Sequence, residues 1–384
     1  MKISSTQAIK LANMRLVMEK IIELRYFTRV ELSRITSLNK ATVSSIVNEF
    51  LENKLIVESD DLVRTSGRSA KVFSLNENAG RIISLELLPN KIFGVVTNLF
   101  GEIVYQNVEP IYDLSLNSYI NKLLRFIDLL RNNTHESIYG LIGIGVAVYG
   151  IVSKDQIVKF APINNWQDVD FKTIIEEYTN IETFIQNESN VSVMSNLITQ
   201  NKEDNIVSMH IGAGVGMGII IDRKIYTGND GYAGEIGHTI VELNGRECIC
   251  GNKGCLETYI STPSILNQYY LKTNKHITLE DFISMYKNDE RVARDIYQEF
   301  IDYTTVAINN ISQTLNPHTI TIDSQLVSQI PETISILNNN LKSKAMKLSV
   351  LERSKYTKTK IVEGITHTLI KKFLDVKNYN IKNI

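Results

Sequence analysis

Cysteine is scarce in this chain: three residues in 384, all of them between positions 248 and 255. An odd number crowded into one short stretch is a poor disulfide framework, which argues against a small secreted scaffold and for metal ligation. Long apolar runs are missing as well, since none approaches the roughly 20 residues of a membrane span. Met1 to Lys20 alternates polar with apolar residues and does not resemble a signal peptide, so no membrane partner and a cytoplasmic location are expected. No period of roughly 20 to 50 residues and no low-complexity linker occurs, so a repeat array is not expected. Net charge is also lacking, at −1 overall, and taken alone this argues neither for nor against a polyanionic partner.

What is present is length and an uneven distribution of charge. A chain of 384 residues is too long for one ordinary core, and two or three globular units are expected. Residues 1–75 carry 12 Lys+Arg against 8 Asp+Glu, a net of +4, while the remainder carries 29 against 34, a net of −5. The basic surplus coincides with a run of short helical patterns. Ile9, Ala12, Leu16, Val17, Ile21 and Leu24 recur at helical spacing, and Tyr26 and Phe27 close that helix. Thr28 with Glu31 three residues on predicts a capping box for a second helix carrying Val30, Leu32 and Ile35. After a turn at Ser37, Leu38 and Asn39, a third helix from Lys40 to Glu52 sets Val43, Ile46, Val47, Phe50 and Leu51 on one face.

This pattern predicts a helix-turn-helix, and Leu55–Glu58 and Lys71–Leu75 predict the two strands of a wing around a loop holding Arg64, Gly67 and Arg68. Short polar side chains suit base edges in a major groove, and basic ones suit phosphates. The candidate DNA contacts are therefore Thr28, Ser37, Asn39, Lys40, Thr42, Ser44, Ser45, Asn48, Arg64, Arg68 and Lys71, with operator double-stranded DNA as the partner. The alternative is a three-helix structural or dimerisation module with solvated charges.

From Asn76 onward strands and helices alternate. Ile82–Leu88, Ile92–Asn98 and Glu102–Val108 predict a three-stranded meander, Ser118–Asn132 a helix, and Leu141–Val148 a buried strand ending in Tyr149-Gly150. Phe184–Gln186 is a strand before a helix that starts within 187–190; Ile206–Ile211 and Gly216–Ile221 are strands around a glycine series; Thr319–Ile322 is an apolar strand. The expected layout is a winged helix-turn-helix over 1–75 and a two-lobed α/β unit over 76–384, the lobes meeting near 190 and the C-terminal helix packing back on the first. His238, Cys248, Cys250 and Cys255 lie within 18 residues. Three thiolates and an imidazole satisfy a closed tetrahedral structural zinc site, and Gly251 and Gly254 permit the turn that brings Cys255 back.

Gly234-Glu235-Ile236-Gly237-His238 followed by C-x-C-G-x-x-G-C-x-E over Cys248–Glu257 resembles the signature of the ROK family (repressors, open reading frames, sugar kinases). The resemblance implies an actin-like, hexokinase-like ATPase fold. With the winged helix in front, it is greatest to the xylose-responsive repressors of Gram-positive bacteria. It implies a homodimer that binds a monosaccharide, D-xylose favoured, and leaves its operator. It places the sugar on Asn187, Glu188, Glu235, His238 and Glu257, with Asn165 in a loop beside it that includes Trp166. Carboxylates and amides can grip a ring of hydroxyls with paired hydrogen bonds, though Glu235 and Glu257 could be ordinary solvated or capping carboxylates and Trp166 plain core.

Kinases of the family begin with D-x-G-G-T-K, where this chain has Glu86-Leu87-Leu88-Pro89-Asn90-Lys91 without a glycine. Pro89 lacks an N–H donor. Glu188 replaces the catalytic Asp, and Asp323 and Ser324 replace a glycine pair. No ATP binding and no catalysis are therefore expected. Gly212, Gly214, Gly216 and Gly218 predict a tight hairpin. The rival readings are an active or bifunctional sugar kinase, and a winged-helix protein whose second unit only dimerises.

Overall fold

The computed structural model describes residues 5–63, 70–134, 137–161, 164–199, 203–344, 349–354 and 359–377. The chain opens with α1 (Ser5–Leu24), whose Val17, Met18, Ile21 and Ile22 are buried. Ile9 and Ala12, expected on the same face, are exposed, although Lys10 between them reaches Glu49 at 2.8 Å. Tyr26–Phe27 form β1 instead of merely closing the helix, and the Phe27 ring sits 5.9 Å from that of Phe73. In α2 (Arg29–Thr36) half of the expected capping box is present: the Thr28 hydroxyl accepts from Glu31 N at 3.2 Å. Val30 points outward. Ser37 ends α2 in the left-handed region at φ 57°, and α3 (Lys40–Glu52) begins where the Asn39 side-chain carbonyl accepts from Thr42 N. Then β2 (Ile56–Val63) and β3 (Ala70–Leu75) complete an antiparallel sheet of order β1-β3-β2.

The first large sheet begins with the antiparallel series β4 (Arg81–Leu88), β5 (Lys91–Thr97) and β6 (Ile103–Pro110). Helix α4 (Leu116–Asn132) leads to β7 (Leu141–Val148), parallel to β4. An apolar strand of this kind belongs in a sheet centre covered on both faces. A small antiparallel sheet the sequence did not announce follows, β8 (Ile151–Val152), β9 (Val158–Ala161) and β10 (Trp166–Val169). After α5 (Phe171–Thr179), β11 (Thr183–Asn187) closes the order β11-β7-β4-β5-β6 and α6 (Glu188–Thr199) leaves it.

The second sheet repeats that plan with β12 (Ile206–Ile211), β13 (Val215–Ile221) and β14 (Lys224–Ile225) antiparallel to one another in turn. A long loop with one 3-10 turn, Ile236–His238, leads to α7 (Glu257–Ile260), α8 (Thr262–Thr273), α9 (Leu279–Lys287) and α10 (Arg291–Leu315). Then come β15 (Thr319–Ser324), α11 (Gln325–Gln329), α12 (Thr333–Asn340) and β16 (Val350–Arg353), with β15 and β16 parallel to β12 in the order β14-β13-β12-β15-β16. The last helix, α13 (Lys360–Phe373), returns to β4, β7 and α6. A Cβ on Gly145 would stand 1.8 Å from the Ile365 methyl, so glycine there is what lets α13 lie flat on β7. Beyond α13, Leu374 and Val376 join Val17, Met18 and Ile21 in one apolar cluster, and Arg15 grips both oxygens of Asp375 at 2.8 and 2.7 Å. The N-terminal helices and the first lobe thus share a core with no free tether between them.

Candidate functional site

A cleft opens where β7 and β11 end, facing the β12–β13 hairpin and the loop before α7. Asn187, Glu188, Glu235, His238 and Glu257, drawn from positions 70 residues apart in sequence, all line it. Asn165 does not. It occupies a left-handed turn (φ 52°) and is exposed, while the next residue, Trp166, turns inward against Tyr119 (4.6 Å) and Phe171 (5.2 Å) as core.

Specific local bonds place Asn187 and Glu257. The Asn187 carbonyl accepts from Ser189 N and Asn190 N, capping α6, and its amide donates to Gly150 O at 2.7 Å, so much of its capacity goes into holding the first-lobe loops. Glu188 opens α6, where the helix dipole favours a carboxylate. Glu257 Oε2 accepts from Val215 N at 3.0 Å. Burial, with help from Glu257 and Glu188, pushes Glu235 up to about 7. At neutral pH the three carboxyl groups therefore share fewer than three charges, and one of them can donate as well as accept.

Behind Glu188 lies a buried charged web that sequence reasoning missed. His210 on β12 faces Glu188 Oε1 at 3.8 Å and Asp323 Oδ2 at 3.4 Å. Asp323 Oδ2 also accepts from Ser192 Oγ at 2.8 Å and from Lys360 Nζ at 3.1 Å, and the ammonium reaches Ser354 Oγ at 2.5 Å. Burial works to lower the His210 pKa, but the Asp323 hydrogen bond and the charges of Glu188, Asp323 and Glu86 outweigh it and leave the imidazole at about 9. Burial likewise acts to raise Asp323, and its cationic neighbours override it and hold it well below the usual carboxylate range. Glu86, pushed up to about 7 by burial and by Glu188, faces the same group. The only signals in the sequence were a single basic residue, His210, in the apolar run before the glycine series, and Asp323 standing where the family has glycine. Lys360, on a distant helix, gave none.

The β4–β5 turn at Pro89-Asn90 is a closed hairpin with Leu88 opposite Lys91. In the glycine series, a Cβ on Gly214 would lie 1.7 Å from the Tyr149 hydroxyl, and one on Gly216 2.2 Å from Ser189 Oγ. These glycines serve close packing of the hairpin against the first lobe and α6.

His238, Cys248, Cys250 and Cys255 form a cluster whose ligand atoms all lie within 4.8 Å of one another. Cys248 Sγ is 3.6 Å from His238 Nδ1, and Cys250 Sγ is 3.6 Å from Cys255 Sγ. A tetrahedron with zinc–sulfur bonds of about 2.3 Å has edges of about 3.7 Å, so the donor set and spacing fit that ion. The loop is built for this: Cys248 N donates to Asn252 O, Gly251 N to Cys248 O, and Gly254 N to Arg246 O. His238 stands three residues after Glu235, and Cys255 two before Glu257, so the cluster ties together the two segments that bring those carboxylates into the cleft.

On the N-terminal helices, Ser37, Asn39, Lys40, Ser45 and Asn48 are exposed, and Thr42 and Ser44 are half-buried. Thr28 is half-buried and engaged as a cap; Asn48 accepts from Arg29 at 2.8 Å; Lys71 pairs with Glu58 at 2.9 Å. Arg64 and Arg68 lie outside the described residues.

Comparison with known proteins places this geometry among relatives. The xylose repressor of Bacillus subtilis (strain 168) is 30% identical over 346 residues, covering 90% of each chain. A solved ROK family transcriptional regulator, a homologue of the E. coli MLC protein, superposes with a TM-score of 0.77 at 23% identity over 95% of this chain and 96% of its own. A ROK family glucokinase from Streptomyces griseus in complex with glucose and AMPPNP gives 0.66 at 17% identity, covering 98% of its chain but 75% of this one. Residues 83–373, which carry both large sheets, the cleft and the cysteine cluster, match the ROK family profile, and this chain belongs to that family.

Proposed function

We propose that this protein is a DNA-binding transcriptional repressor of sugar-utilisation genes that leaves its operator when a monosaccharide occupies the cleft. One observation carries the proposal: Asn187, Glu188, Glu235, His238 and Glu257 meet in a single cleft between the lobes, in a chain whose first lobe shares its core with the basic N-terminal helices. Those helices, followed by the antiparallel β2–β3 pair, support the reading of residues 1–75 as a winged helix-turn-helix, with α3 entering a major groove. A homodimer would present two such helices to a two-fold operator.

The carboxyl-lined wall suits neutral polyols and repels sugar phosphates and sugar acids. D-xylose is the favoured effector on the similarity to the xylose repressor of Bacillus subtilis. A tetrahedral zinc held by His238, Cys248, Cys250 and Cys255 would fix the Glu235 and Glu257 segments and turn the second imidazole nitrogen toward the sugar. The closed, glycine-free β4–β5 turn and the Lys360–Asp323 pair support a repressor without kinase activity. The ligand can act only through a difference in affinity between the DNA-competent and DNA-incompetent states. Gel-shift titration with pentoses and hexoses tests the proposal: release by D-xylose is expected, and DNA binding indifferent to every sugar would overturn it. ATP turnover of about 1 per second with any sugar would favour the kinase reading instead.

A further inference from the structure

We infer that Tyr149 is a sugar-binding residue and supplies the cleft with a hydrogen-bond donor that, unlike its carboxyl groups, stays protonated across the physiological range. This rests on the effector-site reading above and adds a residue that no motif marks. Tyr149 follows β7 on the first lobe and lines the cleft. Its hydroxyl reaches across to the second lobe, close enough to Gly214 that a Cβ there would stand 1.7 Å from it; the same Cβ would be 2.6 Å from Glu257 Oε2. The phenol oxygen thus stands beside Glu257 at the hairpin that faces the sugar loops.

Among the described residues it makes no hydrogen bond. Tyr149 is half-buried and its hydroxyl is not sealed off, so it stays open to a ligand entering the cleft. The neighbouring wall is rich in acceptors, through Glu188, Glu235 and Glu257, whereas a sugar also offers oxygens that accept. A phenol is protonated below about pH 10 and is a donor throughout the physiological range. Tyr149 therefore complements the carboxyl groups: they accept hydrogen bonds from sugar hydroxyls, and it donates one to a sugar oxygen. Because it comes from the first lobe while Glu235 and Glu257 come from the second, a sugar held by both draws the lobes together. A contact that spans both lobes is sensitive to their separation, so it can contribute to the difference in affinity on which release from DNA depends.

The test is calorimetric titration of the full-length wild type and Tyr149→Phe with D-xylose and its single deoxy derivatives, with D-glucose and D-fructose as further probes. Tyr149→Phe keeps the ring, and an unchanged melting temperature checks its fold. A roughly five- to tenfold loss of D-xylose affinity is expected. One deoxy derivative should bind wild type and variant equally, because it lacks the oxygen that Tyr149 serves. An undiminished affinity, or the same loss for every derivative, would overturn the inference and leave Tyr149 as a packing residue. A wild type that binds none of the probes would instead overturn the effector-site reading, and this inference with it.

Discussion

Asp323→Asn keeps the shape of the buried web and removes the one anion that Lys360, His210 and Ser192 share. Lys360 Nζ, buried and otherwise partnered among the described residues by Ser354, would lose its counter-charge there, and His210 would keep Glu188 and Glu86. Breaking a buried ion pair from one side costs about 3–5 kcal/mol. The His210 share can be separated by pH. Its pKa is about 9 when folded against an ordinary value of 6.5, so the stability it brings is fully present below pH 6.5 and is lost as pH rises through 9. That share is about 3 kcal/mol at most, at about 1.4 kcal/mol per pH unit. Asp323 has the opposite sense: its depressed pKa gives stability that is present above the ordinary carboxylate range and lost only in strong acid. The gap between wild type and variant should therefore be widest near pH 6 and should shrink toward the Lys360 contribution above pH 9. With roughly 2–4 °C per kcal/mol for a unit of this size, a cost of about 3–5 kcal/mol makes the pH 6 gap about 6–20 °C by thermal unfolding. A gap below about 1 kcal/mol, or one that does not change with pH, would refute the reasoning.

Glu235, pushed up to about 7, loses folded stability as pH rises from its ordinary range through 7, so Glu235→Gln should melt higher than wild type at pH 8 and equal to it at pH 5, read by the same thermal scans. Cys250→Ser should lower bound zinc, measured by metal analysis, and weaken D-xylose binding through the loosened Glu235 and Glu257 segments; full sugar affinity in a zinc-free variant would contradict this. At the junction of the N-terminal helices with the C-terminal segment, the exposed Arg15–Asp375 pair should matter little. Arg15→Ala is expected to cost less than about 1 kcal/mol, whereas Leu374→Ala, which empties part of the shared core, should cost about 2–5 kcal/mol in chemical denaturation.

Periodicity made the long elements readable. β4, β7, β12 and α4 fall within a few residues of the positions that their apolar patterns imply, because each buries a regular face. Tyr26–Phe27 and the β8–β10 sheet were not readable, since strands of two to four residues hold too few alternations and owe their pairing to partners far along the chain. Ile9 and Val30 fit helical faces that nothing covers: periodicity says which residues share a face, and the tertiary fold decides whether that face is buried. In the site, the cysteine cluster was announced by tight spacing, and Glu235 and Glu257 by the resemblance to the ROK signature. Tyr149, His210 and Lys360 were not, because their meaning comes from the approach of three elements separated by more than 200 residues in sequence. Asn165 failed for a local reason, a left-handed turn that aims its neighbour Trp166 inward and leaves it in solvent.

The central claim is that sugar and operator bind to different states of one molecule, and thermodynamic linkage gives it a direct measurement. D-xylose affinity should be determined by titration on the free protein and on the protein saturated with operator, alongside operator affinity with and without sugar. The account predicts that DNA weakens sugar binding by the same factor by which sugar weakens DNA binding. Equal sugar affinities for the free and operator-bound protein would contradict it.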